Sequence, residues 1–184
     1  MNVSDKTLWL TRTGALIAVL IVWQMFMGTA TGNNQIIVGS GVNLILAISV
    51  MTGGLWSGVA VGMLSPVFAR FLGIGPLWAI VPVIMVGNFA FVVLWHFIGN
   101  AKIGTKELYA HGLAAFVAAF VKFLVILIGS VYIVVPMLSD NLTAQQANGI
   151  LAAFGGTTQL VTASIGGAVA CIMLPFLKNA LEKK

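Results

Sequence analysis

Charge is what this sequence has least of. Only 7% of its 184 residues are Asp, Glu, Lys or Arg, against 60% that are hydrophobic. A water-soluble domain carries about 25% charged residues, so this chain lacks the means to cover itself with a hydrated surface. Its mean hydropathy of +1.07 agrees. Acids are scarcest, four against nine Lys and Arg. Those cations are spread along the chain and make no basic patch, which excludes nucleic acid as the partner of the +5 net charge. One cysteine, Cys171 in an apolar run, excludes a disulfide framework and a thiolate metal site. No HExxH, GxSxG or Walker pattern occurs, and Asp140 is the only acid away from the termini and one loop. An acid–base pair cannot be assembled, so the chain reads as a non-enzyme with no cofactor or metal.

What is present is apolar length. A bilayer crossing takes roughly 20 mostly apolar residues, so residues 1–184 form a single membrane domain of about six crossings. The fold class is an all-α integral membrane bundle. Breakers divide the chain into Leu8–Gly28, Ile36–Thr52, Leu55–Leu72, Leu77–Ile98, Ala110–Val135 and Thr157–Leu177. Gly53-Gly54 makes a tight hairpin of the second and third. Lys6, Arg12, Lys102, Lys106, Lys178, Lys183 and Lys184 fall on one side when both termini are cytoplasmic, the orientation the positive-inside rule selects. The first segment ends in Gly28-Thr29-Ala30, a signal-peptide-like site, but its length and the apolar segments that follow favour a retained helix. Two outer connections carry structure of their own. One is Thr29–Gln35; the other, Pro136 to Gly156, contains a capping box at Thr143 and Gln146 that opens a short helix to Phe154. That helix reads equally as a lid and as an interfacial helix.

The polar residues inside the segments are the informative ones. Lys122 lies about 18 Å along the fifth segment at 1.5 Å per residue, where an unpaired amine costs about 2.5–3.5 kcal/mol, so an inward-facing role is expected. Asn88 lies at a similar depth in the fourth segment, as a helix–helix hydrogen bond or a ligand contact. Arg70, near the outer end of the third, serves equally as a headgroup anchor. Gln24, Asn43, Gln159 and Thr162 fall in the outer half, with Asn33, Asn34 and Gln35 in the first outer loop. The cytoplasmic half contains no ionisable residue beyond His96 at its rim, and His96 and His111 read as interfacial. This asymmetry points to a polar cavity open outward and closed below, whereas a pore is polar throughout. Trp23, Trp56, Trp78 and Trp95 read as aromatic-belt anchors, and Pro66 and Pro82 as kinks that free backbone groups to line a cavity.

Particular stretches now carry a resemblance. TRTGALIAVLIVWQ (Thr11–Gln24), the run from Val42-Asn43 through GGLWSGVAVGMLSPVFARFLGIGPLWAIVPVIMVGN, AAFVKFLVIL around Lys122, and TTQLVTASIGGAVACIMLPFLKNAL together resemble the substrate-binding (S) components of energy-coupling factor (ECF) transporters. The resemblance implies capture of a vitamin or related micronutrient from outside a prokaryotic plasma membrane. Delivery would follow by docking on a transmembrane coupling subunit with two ATPases. It implies docking through small residues of the first helix, here Gly14, Ala15 and Ala18. It also implies a ligand held by Asn88, Lys122, Gln159 and Thr162, gated by Asn33, Asn34 and Gln35, with Arg70 and Asn43 as weaker additions. A desolvated Lys122 suits an anionic or carboxylate-bearing ligand. The rival readings are a membrane scaffold without its own ligand and a small secondary transporter. The latter lacks an inverted repeat and an intramembrane acid to carry a coupling proton.

Overall fold

In a computed structural model the chain is described at residues 3–32, 34–103 and 107–182. Lys106, Lys183 and Lys184, three of the cations used for orientation, lie outside these residues, as does Asn33. Among the described residues all regular structure is helical. The long helices are α1 (Val3–Ala30), α2 (Gln35–Gly53), α3 (Leu55–Phe71), α4 (Trp78–Gly99, its first turn 3-10), α5 (Glu107–Met137) and α7 (Thr158–Glu182). Between the last two lies a short α6 (Ala144–Ile150) that runs on as π-helical turns over Leu151–Gly155. Five helices are long and apolar enough to cross a bilayer, and the chain is an all-helical membrane protein. α3 has 17 residues, about 26 Å at 1.5 Å per residue.

Local chemistry sets the helix ends. Asn34 opens α2 by accepting from the amides of Ile36 and Ile37. Gly54, at φ +82°, makes the α2–α3 hairpin in a conformation that a Cβ would strain. Gly73, at φ +76°, stops α3, its amide closing on the Arg70 carbonyl while that of Ile74 closes on Ala69. Thr143 and Gln146 form the expected capping box at α6. Pro82 departs from expectation: it stands in the first turn of Val81–Gly99, where its missing N–H costs nothing, and does not kink the helix. Pro66 does lie inside α3.

Successive helices alternate in direction. Gly58 meets Val50 of α2 and Val92 of α4, Gly87 of α4 meets Ile126 of α5, and Gly167 of α7 meets Ala115 of α5. The starts of α1, α3 and α5 therefore share one end with the finishes of α2, α4 and α7; α6 occupies the other. Small residues allow these approaches. At Gly166 the neighbour is backbone, since a Cβ there would stand 2.5 Å from the Ser40 carbonyl oxygen and 2.8 Å from the Leu44 amide nitrogen.

Two apolar clusters result. The larger is built on Leu20, Leu46, Phe91, Trp95, Ala118 and Leu174 in the body of the bundle. The smaller joins Ile80, Ile126 and Val134 to Ile150 and Phe154, and so fastens α6 over the ends of α4 and α5. Trp95 is fully buried, which corrects its assignment to an aromatic belt. Trp56 and Trp78 are exposed.

Candidate functional site

The buried face of α5 reads Ala110, Ala114, Ala118, Lys122, Ile126, a residue every four positions, with Phe116 and Phe120 exposed on the opposite side. Four residues advance a helix by slightly more than one turn, so Lys122 shares the stripe packed into the bundle. Its 3% exposure leaves no path to a headgroup. The ammonium donates to Asn43 Oδ1 at 2.6 Å and stands 5.4 Å from the centroid of the Phe91 ring. An ammonium has three donors, and among the described residues Asn43 is its only hydrogen-bond acceptor.

Asn43 is held for that task. Its Nδ2 donates to the Gly39 carbonyl at 2.8 Å and to Thr162 Oγ1 at 3.5 Å, which turns Oδ1 toward the lysine. Thr162 in turn donates to the Gln159 carbonyl. Among the described residues no carboxylate joins this network. Asp5 lies in the first turn of α1, Glu107 opens α5 and pairs with Lys178 at 2.7 Å, Glu182 closes α7, and Asp140 is exposed in the α5–α6 connection.

Asn88 is fixed by the proline expected to free a backbone group. Pro66 has no N–H to give the Gly62 carbonyl four residues earlier. Asn88 Nδ2 donates to that carbonyl instead, at 2.8 Å. The bond sets the orientation of the amide and leaves Oδ1 buried without a partner.

These groups line one cavity of about 140 Å³ at the α6 end. Lys122, Asn43, Asn88, Gln24, Gln35 and Gln159, six of the polar residues singled out from the sequence, border it. Apolar walls come from Val38, Val42, Ile84 and Ile126, and Phe154 reaches in from the α6 extension. Gln159 Nε2 donates to the Ala153 carbonyl at 3.2 Å, tying α7 to that same extension. The Ile74-Gly75-Pro76 turn and Ser65, Pro66 and Ala69 of α3 complete the lining. Of these only Pro66 was legible in the sequence as a cavity residue.

Other expected site residues stand elsewhere. Asn34 is consumed as the α2 cap. Arg70 does not border the cavity; its guanidinium lies 5.8 Å from the Trp78 ring centroid. Thr162 is buried one layer behind, orienting Asn43. Gly14, Ala15 and Ala18 are exposed on α1, and a Cβ on Gly14 would meet nothing. His111 departs from the interfacial reading. It is 1% exposed in the half of the bundle away from α6, its ring centroid 6.2 Å from that of Trp95. An ionisable side chain is therefore buried where none was expected, and both of its nitrogens lack partners.

The arrangement offers one buried cation, carboxamides and a hydroxyl in an apolar chamber. No family model, no curated protein and no solved structure matches the chain.

Proposed function

We propose that this protein is the substrate-capture subunit of an ATP-driven importer of the ECF type, taking up a small anionic micronutrient. In this reading all six long helices cross a prokaryotic plasma membrane with both termini cytoplasmic, and the α6 end faces outward. The observation that carries it is the Lys122 ammonium: buried at a cavity and bonded to one neutral amide, with no carboxylate beside it among the described residues. A buried cation is costly without a counter-charge, and a bound anion supplies one. The exposed sodium- or proton-coupling acids of a secondary transporter have no counterpart among the cavity residues.

Transport then rests on partners, a coupling subunit and two ATPases, in keeping with a sequence that has no Walker pattern. The exposed Gly14, Ala15 and Ala18 face of α1 is the surface on which a partner helix would approach closely. Purification in mild detergent, denaturation and mass spectrometry of the released small molecules tests the capture role. A stoichiometric organic acid is expected; release of lipid alone from freshly prepared protein would overturn it. Gly14→Leu tests the docking face: ATP-driven uptake in vesicles with the partner subunits should fall several-fold while ligand affinity stays unchanged.

A further inference from the structure

The cavity specifies more about its ligand than a negative charge. Its volume of about 140 Å³ is close to the roughly 150 Å³ apolar cavity that accommodates one benzene ring. It is well below the roughly 300–1,000 Å³ of pockets for larger ligands. The walls also contain oxygen atoms that nothing satisfies. Asn88 Oδ1, Gln24 Oε1 and Ser65 Oγ are all buried without a hydrogen-bond partner, and all three residues border the cavity. Of these, Asn88 Oδ1 is an acceptor by necessity, because its Nδ2 is committed to the Gly62 carbonyl. A buried acceptor left unmatched costs about 1–3 kcal/mol.

Lys122 and Asn88 sit on adjoining helices. Gly87, next to Asn88, allows the approach: a Cβ there would stand 2.7 Å from Ile126 Cγ1 and 3.6 Å from Lys122 Cγ. One chamber therefore presents a cationic donor from α5 and an unmet acceptor from α4. We infer that the ligand is a compact single-ring carboxylate that also carries an N–H donor, its carboxylate on Lys122 and its N–H on Asn88 Oδ1. This rests on the capture role proposed above and narrows it. Large multi-ring micronutrients are excluded, and so are single-ring acids that only accept.

Matched pairs of single-ring acids test it, with thermal stabilisation of the purified full chain as the readout. Pyrrole-2-carboxylate is compared with furan-2-carboxylate, which exchanges N–H for an oxygen acceptor, and with 1-methylpyrrole-2-carboxylate. The N–H acid is expected to bind at least tenfold more tightly than either analogue. The preference should vanish in a Pro66→Ala/Asn88→Leu double variant, where the restored amide of residue 66 keeps the Gly62 carbonyl bonded. Equal binding within the set, lost in Lys122→Met, would overturn the N–H assignment while leaving anion capture in place. If none of the three binds and denatured protein releases a larger acid, the inference falls and the capture role stands. If none binds and nothing but lipid is released, both fall.

Discussion

Among the described residues each half of the bundle buries one basic side chain, and the two are treated in opposite ways. At the α6 end Lys122 lies beside a cavity, its amine oriented by Asn43, which Gly39 and Thr162 hold in turn. In the other half His111 packs against Trp95 within a dense wall of Phe91, Ala114 and Leu174, and neither nitrogen has a partner. Polar groups at the α6 end are organised around empty space. In the other half they are incidental to a seal. The comparison teaches that burial of a charge-bearing group marks a site only when neighbours are spent on aiming it and room is left in front of it.

The sharpest way to break the comparison is to break the seam beneath the cavity. Gly166→Val places a side chain against the Ser40 carbonyl and Leu44 amide, and backbone cannot retreat as a flexible side chain does. A loss above about 3 kcal/mol, at the severe end of overpacking effects, should appear as failure to recover monodisperse protein. Lys122→Met comes next. Removing one member of a buried charge pair costs about 2–5 kcal/mol, so affinity for the acid that wild type retains should drop at least ~30-fold. The fold should survive, since among the described residues Lys122 pairs with the neutral Asn43 amide and with no carboxylate.

A smaller effect separates support from binding at Asn88. Asn88→Leu removes the donor to the Gly62 carbonyl and should cost about 1–3 kcal/mol in thermal or denaturant stability. In a Pro66→Ala background the same substitution should cost distinctly less, a coupling that a double-mutant cycle reads directly. The smallest effect belongs to the sealed half. His111→Leu exchanges an unpartnered buried ring for an apolar group, which is near neutral or stabilising. Ligand affinity should not change, and melting should stay level or rise. A large loss of binding in His111→Leu would erase the distinction between the halves.

Much of this was legible in the sequence, for identifiable reasons. Apolar runs and Gly-rich breakers gave the helices because a bilayer demands length, and the Thr143–Gln146 box announced α6. Lys122 stood out because its depth makes it expensive, and the structure puts it on the buried stripe with Ala114 and Ala118. Asn34 and Arg70 misled because a polar residue near a helix end has two uses, capping or anchoring and binding, that spacing does not separate. His111 was misplaced for a related reason. Its four residues inside α5 are few enough to suggest the interface, while Trp95 packing against it is a tertiary fact. Ser65, Phe154 and the Ile74–Pro76 turn entered the lining only through the way α3, α4 and α6 converge. Pattern along one helix does not encode that convergence.

The central claim is that Lys122 holds a captured anion, and one paired measurement meets it head on. Wild type and Lys122→Met are purified side by side in mild detergent, denatured, and their released small molecules quantified by mass spectrometry. The account expects about one equivalent of a small organic acid from wild type and a near-complete loss from the variant, with both proteins folded. The same molecule released in equal amount from both would contradict it.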